Sequence, residues 1–105
     1  MKQFDRAVPY LREAVRLDST NANEWYDLGH SFYEIKQFTN AERALKQADH
    51  LLPSDDNTEY WLGRTYVQMG RRTEALAAYQ QLAGADAGAG KKMAQQLYTE
   101  INNMQ

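Results

Sequence analysis

The sequence predicts an all-α chain of antiparallel helix–turn–helix repeats, stacked side by side, with about six helices and a capping helix at the C-terminal end. Three observations carry that expectation. Leu28-Gly29 returns thirty-four residues later as Leu62-Gly63, Phe32 as Tyr66, Ala41 as Ala75 and Leu45 as Tyr79. The same register runs backwards and places Ala7, Leu11 and Ala14 thirty-four positions before Ala41, Leu45 and Ala48. Apolar residues inside each copy follow helical spacing, and the turns between paired helices are short enough to force antiparallel neighbours. A period of this size marks units that cannot bury their apolar faces alone and therefore stack.

Each element has a local reason. Phe4 to Leu17 matches the second helix of a repeat whose first helix would precede Met1, and Pro9 is placed near its first turn, where a lost amide costs little. Asn21-x-x-Glu24 forms a capping box before a helix through about residue 35, and Asp56-x-x-Glu59 repeats the device before a helix through about residue 69. Thr39-x-x-Glu42 and Thr73-Glu74 suit the starts of the second helices, over about 38–52 and 72–83. Lys36-Gln37 and Gly70-Arg71 are the connecting turns. Glycines at 84, 88 and 90 break the pattern, after which Met93, Leu97, Ile101 and Met104 make an amphipathic stripe, with Lys91, Lys92, Gln95 and Glu100 on other faces. That stripe with one wet face suits a terminal cap. The whole reads as a single domain: a truncated repeat over 1–20, full repeats over 21–54 and 55–87, and the cap over 88–105.

Composition narrows the function classes. With 43% hydrophobic and 25% charged residues, the 105-residue chain has an ordinary globular composition. Its net charge of −2, with signs interspersed, leaves no electrostatic footprint for nucleic acid. There are no cysteines, so disulfides and thiolate metal sites are excluded. No apolar run approaches the roughly 20 residues of a bilayer span, and the opening residues lack a signal-peptide core, so no membrane partner is expected. The compartment stays open between cytoplasm, which is favoured, and periplasm.

Trp25-x2-Leu28-Gly29-x2-Phe32, then Ala41-x3-Leu45, then Pro53, resembles the tetratricopeptide repeat (TPR). Leu62-Gly63-x2-Tyr66 with Ala75-x3-Tyr79 is similar to the same motif, and the resemblance covers roughly residues 4 to 87. Three positions depart from it: Glu59 replaces the Trp, Ala87 stands where Pro would end the unit, and Lys36 replaces the small residue usual at the turn. The resemblance implies a right-handed α-solenoid in which Gly29, Gly63, Ala41 and Ala75 allow close helix crossing. Trp25, Leu28, Phe32, Leu45, Leu62, Tyr66 and Tyr79 would fill the core between helices.

It also implies where function would lie: on a concave face lined by the first helix of each pair. Carried onto this chain, the peptide- or partner-binding positions are Asn23, Tyr26, Asp27, His30 and Tyr33, then Asn57, Tyr60, Trp61, Arg64 and Gln68. Tyr26, Tyr33, Tyr60 and Trp61 stand where a merely solvated helix face favours Lys, Glu and Gln, and such aromatics are enriched in binding hot spots. The plain alternative is that they pack on neighbouring repeats. A chaperone-tail clamp is disfavoured, because Asp27 would repel a carboxylate and Trp61 offers no cation.

No metal site is expected. His30 and Glu34 share i, i+4 spacing, but a usual site needs three or more protein ligands. No cofactor and no catalytic set emerge, since nucleophile–base spacing and a phosphate loop are both lacking. Repeats that read RNA base by base have a similar period, but Asp27 and Glu34 on the candidate face oppose phosphate. The leading expectation is therefore a non-catalytic scaffold that holds a peptide or partner helix. The rival is a homodimer through the open N-terminal end, with Phe4, Val8, Leu11 or Val15 left partly uncovered.

Overall fold

The computed structural model describes residues 2–84 and 88–104. Among the described residues it is all-α: α1 (Lys2–Leu17), α2 (Ala22–Glu34), α3 (Phe38–Leu51), α4 (Asp56–Gln68), α5 (Arg72–Ala83) and α6 (Gly88–Asn102). The chain forms two compact units, Met1–Pro53 and Ser54–Gln105.

In the first unit, α1 packs on α2 and α2 pairs with α3. Val8, Val15, Leu28, Phe32, Ala41 and Ala44 form the core, with Leu11, Trp25, Tyr33 and Ile35 against it. Gly29 supplies the closest approach: a Cβ there would lie 2.5 Å from Leu45 Cγ, so only a residue without a side chain lets α3 sit this near. Of the four α1 residues expected to be partly uncovered, Phe4 and Leu11 are half-buried, while Val8 and Val15 are buried. The apolar α1 side chains that stand out furthest are Tyr10, 76% exposed, and Leu17, 72% exposed. Pro9 also departs from expectation. It sits in the interior of α1 rather than its first turn, on the exposed side, where the helix continues without that amide.

The paired helices are joined by two matching turns. Lys36 N–H donates to the Tyr33 carbonyl and Gln37 N–H to the Phe32 carbonyl, both at 2.9 Å. Thirty-four residues on, Gly70 N–H donates to Val67 and Arg71 N–H to Tyr66, at 3.1 and 2.9 Å. Both are Schellman ends, whose residue after the cap must be left-handed. Gly70 adopts φ 73° without penalty, and Lys36 adopts φ 65° against the preference of a residue with a Cβ.

In the second unit, α6 packs on both α4 and α5. Leu62, Tyr66, Ala75, Ala78, Leu82, Ala94, Leu97 and Ile101 are its buried core. Leu97 and Ile101, from the apolar stripe of α6, have no exposed surface; burying side chains of this size stabilises by roughly 1.5–3 kcal/mol each. Arg72 Nη1 donates to the Ile101 carbonyl at 3.0 Å, an oxygen near the end of α6 that also accepts from Met104 N–H at 3.1 Å.

Three capping expectations change. Asn21 accepts from Glu24 N–H at 3.2 Å as expected, but α4 is capped by Asp55, not Asp56. Asp55 Oδ2 accepts from both Thr58 N–H at 3.0 Å and Thr58 Oγ1 at 2.9 Å, a double contact open only to the residue three positions before Thr58. The helices α3 and α5 begin after Gln37 and Arg71, which make no side-chain cap bond, so Thr39 and Thr73 lie inside the first turn.

Two residues expected in the core are only half-buried. The Trp25 indole N–H reaches out to the Ser19 carbonyl at 2.9 Å. Tyr79 stacks on Tyr98 with ring centroids 5.1 Å apart. Leu97 of α6, rather than Tyr79, stands nearest Gly63. Ala87, the expected repeat end, lies outside the described residues.

Candidate functional site

Each unit carries its share of the candidate residues on its own first helix. On α2, the spacing of Asn23, Tyr26, Asp27, His30 and Tyr33 puts them along one side. Asn23 and Asp27 are exposed, while Tyr26, His30 and Tyr33 are half-buried. His30 is the centre of this set. Its ring lies 5.3 Å from Phe4 of α1 and 6.3 Å from Tyr26, and Nε2 lies 3.1 Å from Glu34 Oε2. Tyr33 meets Phe38 of α3 edge-on at 5.4 Å. These contacts fix the rings before any ligand arrives, which lowers the entropy cost of binding to them.

On α4, Arg64 lies between two aromatic rings. Its guanidinium carbon is 4.8 Å from the centre of Trp61 and 5.4 Å from that of Tyr60, and the two rings meet edge-on at 5.5 Å. Such cation–π contacts hold the guanidinium plane and the rings together. The same face is also tied to α6. Arg64 Nε pairs with Glu100 at 2.9 Å, and the Tyr60 hydroxyl donates to Gln96 Oε1 at 3.0 Å. Burial pushes the Tyr60 phenol above its ordinary value, with Glu100 adding to the rise and Arg64 opposing it.

Sequence reasoning missed these two partners. It placed Glu100 simply away from the apolar stripe, and nothing in a repeat motif pairs residues thirty-six apart. The engaged side chains divide the α4 set. Tyr60 and Arg64 are held by α6, Trp61 is half-buried beside them, and Asn57 and Gln68 are exposed. Gln68 borders a separate hollow of ≈ 390 Å³ with Val67, Gly70, Glu100, Asn103 and Met104.

Two family models described as tetratricopeptide repeat match the chain, one over residues 32–101 and one over residues 1–56. The chain belongs to the tetratricopeptide repeat family. TPR proteins generally mediate protein–protein contacts and are typically scaffolds rather than catalysts. No curated protein shows significant similarity to this TPR chain.

The match through residue 101 takes in α6. That helix stands in register with α2 and α4: Leu62-Gly63 falls on Gln96-Leu97, and Thr65 on Thr99. Thr65 and Thr99 even make the same bond, each hydroxyl donating to the carbonyl four residues back, at 2.8 and 3.1 Å. Where the TPR motif has Gly, α6 has Leu97. That residue fills the close-approach point of α4 instead of providing one of its own. Among the described residues no group of three or more His, Cys, Asp or Glu is gathered to hold a metal, and no helix is long and apolar enough to cross a membrane.

Proposed function

We propose that this TPR chain is a non-catalytic interaction module that binds a peptide or partner helix through a first-helix face, with α2 carrying that face in the first unit and α4 in the second. The observation that carries this reading is the α2 face: Tyr26 and Tyr33 flank His30, with Asn23 and Asp27 exposed at their edge. Aromatic side chains held by their neighbours give contact area at low ordering cost, and exposed Asn and Asp supply directional bonds. On α4, Trp61 contributes the same kind of surface, with Arg64 held over its ring. Because Tyr60 and Arg64 are bonded to α6, the second unit offers chiefly Trp61, and the first unit offers the fuller face on α2. A photo-crosslinking residue at Asp27 should form an adduct with a bound protein partner, whereas one at the exposed Gln80 of α5 should not. Equal adducts from both positions would contradict the assignment.

A second reading, self-association, draws on Tyr10 and Leu17. They share a face of α1 at i, i+7 and are both largely exposed. Light scattering across a concentration series separates the two, because a strict monomer removes self-association.

A further inference from the structure

A cleft on the second unit has no part in the reading above. It lies between α5 and α6, encloses ≈ 380 Å³, and is lined by Tyr79, Ala83, Lys91, Ala94, Gln95, Tyr98 and Thr99. The stacked tyrosines form an aromatic wall with centroids 5.1 Å apart and planes inclined at 36°. Tyr98 is 45% exposed, so the wall is presented to solvent rather than sealed in the core. Ala94, buried, and Ala83, exposed, add little bulk to the lining. Among the described lining residues Lys91 carries the charge, and none of them is a carboxylate. It lies near the start of α6, a helix with no acidic residue in its first turn, so its positive end adds to the lysine's field. Lys92 follows directly and is exposed.

We propose that this cleft is a second docking surface, for an acidic peptide segment that sets one apolar side chain against Tyr79 and Tyr98 with a carboxylate beside Lys91. Charge complementarity selects the occupant: a cleft whose described lining holds a lysine and no carboxylate favours an anionic ligand over a basic one. Openness selects a peptide over a small molecule. A small-molecule site encloses most of its ligand, whereas a shallow aromatic wall accepts a single anchor side chain while the rest of the chain runs outside. The tyrosine rings supply contact area for an aliphatic or proline side chain, and the Gln95 amide can bond the passing backbone.

The test is fluorescence anisotropy of the full chain with a fluorescein-labelled peptide GDDLPDDG, beside GKKLPKKG as its charge-reversed partner, up to about millimolar protein, the range of a single-anchor contact. The acidic peptide should bind saturably and the basic one should not. Lys91→Glu and Tyr98→Ala should each weaken binding about tenfold or more, the scale of one lost charge-assisted or anchor contact. Both side chains are exposed, so helicity by circular dichroism should be unchanged. Tyr26→Ala should bind as the parent does. Absence of saturation, equal binding of both peptides, indifference to Lys91→Glu, or loss with Tyr26→Ala would each overturn the proposal.

Discussion

Leu97 of α6 sits over Gly63 of α4 so closely that a Cβ at position 63 would lie 2.5 Å from Leu97 Cδ2 and 3.0 Å from Ala78 Cβ. Real Cβ contacts are not that short, so the two residues are complementary in size: one has no side chain because the other fills the space. Gly63→Ala should therefore cost about 1–3 kcal/mol by overpacking. Leu97→Ala should cost about 2–5 kcal/mol by leaving a cavity. The double variant should lose less than the sum, because the small residue at 97 releases most of the clash. Urea denaturation of the four proteins gives the coupling. Strict additivity would mean that the two side chains do not share this space.

Asp55 rather than its neighbour holds the start of α4. Asp55→Ala should destabilise by about 1 kcal/mol, the usual value of a side-chain cap. Asp56→Ala, which leaves the Asp55 cap in place, should have a smaller effect through the helix-end charge. Thermal melts in parallel would show it, and a larger loss from Asp56→Ala would reverse the assignment.

Lys36 and Gly70 perform the same turn with different backbone costs. A left-handed residue with a Cβ costs about 1–2 kcal/mol, while glycine costs roughly 0.5–1 kcal/mol in added unfolded-chain freedom. Lys36→Gly should therefore stabilise by about 0.5 kcal/mol, and Gly70→Ala should destabilise by about 1 kcal/mol. No atom lies within 4 Å of a Cβ built at Gly70, so the effect there is conformational and not steric. Denaturation midpoints moving the same way for both variants would refute this account.

The thirty-four-residue register made the helices legible because it records close packing within each hairpin. Gly29 is bare where Leu45 approaches, and Ala41 has no exposed surface. It misplaced Tyr79 because a motif carries the partner expected from the repeat, while the space beside Gly63 was taken by a residue of the next helix. The cap at Asp55 was missed for a local reason: Asp55 and Asp56 are adjacent potential caps, and the Thr58 side chain decides between them by offering a second bond. On the candidate site, the resemblance supplied the α2 residues, and helical spacing made it legible that they share one side of their helix. The state of the α4 residues was not, because Gln96 and Glu100 reach Tyr60 and Arg64 only after α6 has docked on Leu97 and Ile101.

The central claim is that first-helix aromatics form the working surface, and affinity capture from a source-cell lysate tests it most directly. The full chain would be compared with Tyr26→Ala/Trp61→Ala, both checked for helicity. A protein retained by the parent and lost from the folded double variant is the predicted result. Identical captures by the two folded proteins would contradict the claim and place binding away from the α2 and α4 faces.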